Sequence, residues 1–456
     1  MTGDKNTRLI IRSLLADSLW DLRRSIECVY LNDMEENILR IVIVTLGSRG
    51  DVQPFLNLGI GLREAGHDVQ VATAENFKDL VKEQGMDFIP LRGDIKKMLS
   101  SPEGRKFFKS KNPITLVRSM KRASTELLQT MQDDILKALE GADASIFSYL
   151  CGPVLDVAEK TGLPCFLGLL NPVLPTSEYP NFAVTLKNLG PHLNLLTYDL
   201  LQFIMWVAFG SIRDRWRKER LGLPKGPIFR RIEKQKIPIL AAYSAYVLPK
   251  PADWPEQAWV TGYWHKKVRE DWQPPRELEN FLASGSTPVC VTFGSMIDNE
   301  KDKIVKLIKK TLENEGLRGI LVAGWSGIKE TEEGNSKFYY LESIPYDWLF
   351  PQVAAVVHHG GAGTFAAALR AGIPSIVIPF VADQPFWAQQ VYKLGVAPKP
   401  IKRSALNEKR LSHALRIAVN DKDLRKKARE LGHLICRENG IATAIDIIHQ
   451  YLGIKK

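Results

Sequence analysis

Seven consecutive residues, His358-His359-Gly360-Gly361-Ala362-Gly363-Thr364, combine two imidazoles with three glycines. An apolar run over Ala354–His358 precedes them and reads as a strand. The segment Thr364–Ala371 reads as a helix. Glycines at such a turn let the backbone come close to a ligand. The first amides of the helix, with the positive end of its dipole, suit a phosphate. A histidine there can donate a charge-assisted bond to the same group. The spacing Gly361-x-Gly363-x-x-Ala366, with Asp383 about 20 residues on, also meets the dinucleotide fingerprint, so an NAD-dependent oxidoreductase stays open. Two features disagree with it. The paired histidines have no role in that fingerprint, and Asp383-Gln384 follows Pro379-Phe380, where it opens the next helix rather than tipping a strand. A second glycine loop, Gly47-Ser48-Arg49-Gly50-Asp51, follows the apolar run Leu39–Leu46. Asp421-Lys422-Asp423 resembles a metal-binding D-x-D, but its place between carboxyl-terminal helices predicts a solvated turn.

The elements that must hold these loops alternate. Strands are expected at Leu39–Leu46, His67–Thr73, Phe88–Leu91, Ala144–Phe147, Cys165–Leu169 and Pro238–Tyr243, with helices at about 54–64 and 76–84. Prolines at 249, 251, 255, 274 and 275 then mark a linker. The alternation resumes with strands at Val289–Phe293, Gly319–Val322, Ala354–His358 and Ser375–Ile378. Largely apolar strands separated by helices predict parallel sheets covered on both faces. The fold class is therefore α/β, with two Rossmann-like doubly wound domains facing a cleft, because ligands of such sheets bind beyond the carboxyl ends of the strands. The boundaries read as a helical extension over 1–38, a first domain over 39–248, a linker over 249–276, a second domain over 277–430 and a terminal helix over 431–456.

The chain has 456 residues, 45% of them hydrophobic, and a formal net charge of +11. No basic stretch interleaves with aromatics, which argues against nucleic acid as a partner. The charge suits a solubilising surface, an anionic donor or an anionic membrane. Cys28, Cys151, Cys165, Cys290 and Cys436 are dispersed and read as reduced core residues of a cytoplasmic protein. Residues 8–31 have the spacing of an amphipathic helix. Leu193–Phe209, followed by Arg213, Arg215, Arg217 and Lys218, reads as a pocket-lining or core helix rather than a peripheral membrane contact.

The histidine-glycine loop, Arg370-Ala371-Gly372-Ile373-Pro374 and Pro379-Phe380-Val381-Ala382-Asp383-Gln384-Pro385-Phe386-Trp387 together resemble the donor signature of UDP-glycosyltransferases. The sterol 3-β-glucosyltransferase branch is the best match, and bacterial antibiotic glycosyltransferases resemble it too. Gly47 through Phe55, Arg215-Trp216-Arg217, Val260-Thr261-Gly262-Tyr263-Trp264 and Ile344 through Pro351 fit the same branch, so the resemblance runs over about 39–430.

That resemblance implies the glycosyltransferase B architecture, with the acceptor in the first domain and the UDP-sugar in the second. It implies that His359 contacts the diphosphate, that Gly361, Gly363 and Thr364 shape that site, and that Gly294-Ser295 forms a second phosphate loop. Ser343-Ile344 would meet the uracil, and Asp383 with Gln384 the sugar hydroxyls. Asp51 stands where plant relatives carry a catalytic histidine, and Ser148 where they carry the acid that orients it. Asp51 would then be a general base acting without an orienting partner. The implied reaction is inverting transfer of a hexose, glucose first, to a lipophilic alcohol such as a sterol, with no metal or other cofactor. Phenolic or glycolipid acceptors, and a non-catalytic nucleotide-sugar binder, stay open. As residues alone, His358 is equally a packed strand-end histidine, Asp383 and Ser295 can be helix caps, and Asp51 can cap a helix opening near Pro54, with catalysis favoured because its loop should face the cleft.

Overall fold

The computed structural model describes residues 38–92, 125, 128–226, 236–266, 272–293, 301–323 and 337–454. The amphipathic segment 8–31, Gly294 and Ser295 lie outside the described residues.

The first domain runs β1 (Arg40–Val44), α1 (Arg49–Glu64), β2 (Asp68–Ala74), β3 (Asp87–Leu91), β4 (Ala144–Ser148), α2 (Pro153–Thr161), β5 (Cys165–Leu169), α3 (Pro191–Trp216), β6 (Ile239–Ala241) and β7 (Ala258–Val260). These strands form one parallel sheet in the order β3-β2-β1-β4-β5-β6-β7. β4 and β5 are buried throughout, which is why their sequences show no alternation. Strand β7 falls inside the stretch expected to be a linker. Its prolines bound an edge strand of the first sheet, where a missing N–H costs little.

The second domain runs β8 (Val289–Thr292), α4 (Lys301–Asn314), β9 (Gly319–Val322), β10 (Phe338–Leu341), α5 (Tyr346–Leu349), β11 (Ala355–His358), α6 (Ala362–Arg370), β12 (Ser375–Val377), α7 (Gln384–Lys393), α8 (Glu408–Asn420), α9 (Lys422–Arg437) and α10 (Gly440–Leu452). Its parallel sheet has the order β10-β9-β8-β11-β12.

Both sheets reverse direction of growth at one point, between β1 and β4 in the first and between β8 and β11 in the second. The Gly47–Asp51 loop leaves β1 and the His359–Gly361 loop leaves β11, so each stands at its sheet's switch point.

The terminal helix of the expectation begins at Gly440, because α9 continues through Arg437. It packs on the first domain. A Cβ placed on Gly61 of α1 would lie 2.4 Å from Ile441. Tyr451 meets Phe166 edge-on at 5.4 Å. His67 Nδ1 accepts from the Leu39 amide, which leaves Nε2 to carry the proton it shares with His449 Nε2 at 2.7 Å. One hydrophobic core joins Ile41 and Phe55 to Phe365, Trp387 and Ile448. Cys151, Cys165 and Cys290 are buried as expected, whereas Cys436 is exposed.

Candidate functional site

On the first domain the loop after β1 becomes α1 earlier than expected. Ser48, in extended conformation, is the N-cap, and Asp51 is the third helical residue. Asp51 Oδ2 accepts from the Ser48 amide at 2.7 Å and from the Ser48 hydroxyl at 2.8 Å. This reciprocal cap outweighs the preference for proline at the first helical position, so Pro54 sits inside the helix. Both bonds converge on one oxygen, and no described residue donates to Oδ1. Gly47, at φ +138°, is required here, because a Cβ would lie 2.4 Å from Asp51 Oδ2. Asp51 therefore has an orienting partner, Ser48, against the expectation that it has none. Ser148 instead points its hydroxyl to Cys151 Sγ at 3.4 Å. Burial raises the Asp51 carboxyl above the usual range, and the two Ser48 bonds oppose that shift.

On the second domain the two histidines do different work. His358 is fully buried, and its Nδ1 accepts the Gly360 amide at 3.1 Å, which pins the turn at Gly360, φ +89°. Burial, then its neighbour His359, drives its pKa down to about 3. His359 is buried 7% exposed, its ring lies over Gly361, and its Nδ1 has no partner among the described residues. Burial lowers its pKa to about 4, so near neutral pH it presents an uncharged imidazole, which can still donate to an anionic phosphate. An orphaned buried nitrogen beside a helix start is what a diphosphate oxygen would satisfy.

Gly361 is the N-cap of α6 and offers no side chain to its first turn. A Cβ on Gly363 would meet nothing within 4 Å, so packing does not demand glycine there and the space over that amide is open to a ligand. Thr364 is buried and shares a hydrogen bond with Tyr346 of α5. The Tyr346 hydroxyl also lies 2.8 Å from Thr292 Oγ1, at the end of β8. Arg49, from the opposite domain, acts on Tyr346 electrostatically. Tyr346 and Arg49 were missed by the sequence reading, although both lie inside quoted motifs. Ile344 is half-buried just before α5 and packs on the core beneath it.

The turn before α7 carries Asp383 and Gln384. Gln384 is buried, and its Oε1 accepts the Phe380 and Val381 amides at 2.9 and 3.1 Å, so it holds the turn. Ala382 sits at φ +57°, an uncommon conformation for a residue with a Cβ. Asp383 occupies the N-cap position of α7, yet its side chain makes no cap bond. Burial raises its carboxyl to about 6, and the Asp51 carboxylate across the gap adds to the rise. The two acids therefore confront one another from opposite domains. Asp383 opens a helix and does not tip a strand, which removes the geometry an NAD ribose would need. Asp421 caps α9 through the Asp423 and Leu424 amides, and the D-x-D is exposed, as its reading as a solvated turn predicts.

The two halves are closed around this site. Trp387 Nε1 donates to Asn171 Oδ1 at 2.8 Å and Gln390 Nε2 to the Val247 carbonyl at 2.8 Å. A cavity lined by Gly50, Pro54, Trp264, Gly363, Phe365 and Trp387 lies between the first halves of α1 and α6.

Comparisons with known proteins agree with this layout. The family model of the glycosyltransferase family 28 N-terminal domain matches residues 41–180. That of the erythromycin biosynthesis protein CIII-like C-terminal domain matches residues 337–438. A sterol 3-beta-glucosyltransferase of Arabidopsis thaliana is 32% identical over 422 residues, covering 91% of this chain and 68% of the relative. One of Penicillium rubens is 34% identical over 434 residues, and this chain spans only 31% of its length. The solved structure of a Streptomyces sp. SF2575 glycosyltransferase, complexed with thymidine diphosphate, superposes with a TM-score of 0.61 at 20% identity, covering 90% of this chain and 99% of that one.

Proposed function

Because this chain belongs to the sterol 3-beta-glucosyltransferase family and has the two-domain fold of glycosyltransferases, we propose that it transfers glucose from UDP-glucose to the hydroxyl of a sterol-like alcohol. The observation that carries the reading is Asp51, a half-buried carboxylate held by Ser48 through one oxygen and facing the Asp383 turn of the other domain.

The acceptor oxygen attacks the anomeric carbon on the face opposite the diphosphate, so the configuration inverts. Its proton passes to Asp51 Oδ1, and the bond from the anomeric carbon to the diphosphate oxygen breaks. A base with a raised pKa removes a proton more effectively near neutral pH. Charge grows on the leaving UDP, where the first amides of α6 and the His359 imidazole meet it. Asp383 takes sugar hydroxyls, while Gln384 keeps it in place. The leaving charge falls on the chain's own donors, so turnover is expected to persist in a chelator.

The test is UDP-glucose with a panel of sterols, phenols and glycolipids, with products read by mass spectrometry. dTDP-glucose runs alongside, because the Streptomyces neighbour was solved with thymidine diphosphate. Product from a sterol is expected. Product from phenols alone would move the acceptor class, and no product from any acceptor would leave a binding protein. Asp51→Asn is expected to lower turnover by about 10²–10⁴. UDP affinity should hold, since asparagine can still accept from Ser48. Wild-type turnover in that variant would remove Asp51 from the role.

A further inference from the structure

Helix α3 is built inside out. Its buried residues include Asn194, Thr197, Tyr198 and Asp214, while Leu193, Leu196, Leu200, Phe203 and Trp206 are exposed. A helix that packs on a protein and faces water does the reverse. The inward polar groups are fastened. Asn194 donates to the Ser177 carbonyl at 2.9 Å and accepts from the Leu189 amide at 3.0 Å. Thr197 Oγ1 accepts from the Asn181 amide at 2.8 Å, and the Tyr198 hydroxyl donates to the Tyr179 carbonyl at 3.2 Å. At the far end Arg213 and Arg217 bind Asp156 of α2. With both ends tied, the helix cannot roll its leucines inward. The loop fastened to it exposes Val184, Leu186 and Leu189 as well, so the apolar face is wider than one helix. The expectation of a core helix is thereby corrected.

We infer that this face docks on a lipid bilayer, with α3 lying in the plane of the headgroup boundary. Exposed Lys187, Arg215 and Lys218 border the face, and with the net charge of +11 they suit anionic headgroups. By length and composition α3 could cross a membrane, but exposed Asp199 and the inward anchors hold it on the surface. The fastened loop also reaches the site: Tyr179 and Phe182 each lie 5.8 Å from Phe386, three residues beyond Asp383. A lipophilic alcohol leaving the bilayer would meet this loop before the carboxylates. That last step rests on the proposed acceptor class, whereas the docking itself does not.

The full chain is tested by flotation with phosphatidylcholine vesicles, with and without phosphatidylserine, and with neither donor nor acceptor present. Binding is expected, stronger on the anionic vesicles. The double variant Leu196→Glu, Phe203→Glu should lower the bound fraction by about tenfold or more. Its unfolding midpoint and its turnover of a detergent-solubilised acceptor should stay unchanged. Arg215→Glu with Lys218→Glu should abolish only the anionic preference. Absence of vesicle binding, or binding that the double variant leaves intact, overturns the inference. So does a dimer, seen by sedimentation equilibrium, that the same variant disperses without any vesicle effect; the face would then belong to a second copy. All of these readouts stand whether or not the chain glucosylates a sterol.

Discussion

Asp51 and Asp383 carry the same functional group but are held in different ways. Asp51 accepts two bonds through one oxygen, whereas Asp383 sits at a helix start and caps nothing. Removing the Ser48 hydroxyl removes a bond that favours the carboxylate, so Ser48→Ala should raise the Asp51 pKa further. The acid limb of the pH–rate profile should move to higher pH, and an unmoved limb would deny Ser48 its role. For Asp383 the fold raises the carboxyl from 3.8 to about 6. A raised pKa stabilises the fold below the unfolded value, and that contribution is lost as pH rises through about 6. Asp383→Asn should therefore melt at a higher temperature than the parent at pH 7.5 but not at pH 3.5, while its turnover falls. His359 is neutral above about pH 4, and a diphosphate beside it would raise that value. UDP binding should then take up a proton and tighten as pH falls below neutrality. Calorimetry in buffers of different ionisation heat reads the uptake, and His359→Gln should abolish it. Asp51, His359 and Asp383 were legible as candidates, because each sits in an ordered motif. The sequence did not reveal Ser48 or Tyr346, whose importance depends on which atoms they reach.

At the scale of elements, α3 owes its setting to buried ions. Arg217 and Asp156 are fully buried, and Arg217 also bonds Glu159 at 3.1 Å and the Pro224 carbonyl at 2.9 Å. Asp156→Asn would leave Arg213 and Arg217 buried without their shared acid, at a cost of about 3–5 kcal/mol. Urea unfolding should show that loss, and a change below ~1 kcal/mol would mean water reaches the cluster. Most strands were legible because each is apolar and bounded by turns, whereas β10, largely half-buried at the edge of its sheet, was not among those expected. Two elements misled the reading for physical reasons. Asn194 and Thr197 read as polar interruptions of an apolar helix, but they are its inward anchors. Residues 258–260 hid among prolines, yet three residues suffice for an edge strand.

The molecule as a whole is closed by contacts between its two domains. Trp387 and Gln390 reach Asn171 and Val247, and Ser244 donates to Glu438 Oε1 at 3.0 Å. Trp387→Phe keeps the buried ring and deletes the N–H that bridges to Asn171. It should raise the KM for the donor severalfold with a smaller effect on turnover, and an unchanged KM would mean that bond does not hold the closed form. The +11 charge suited a solubilising surface as well as an anionic partner, and only the three-dimensional arrangement separates Arg217, buried, and Arg213, half-buried, from Arg215 and Lys218, exposed. The shared core also bears on biosynthesis. The first sheet is covered in part by Ala444 and Ile448 of α10, residues that follow the whole second domain in chain order. The amino-terminal half therefore waits, with apolar surface uncovered, until α10 has been made. A nascent chain stalled before Gly440 would be a client for chaperones rather than a folded half-protein.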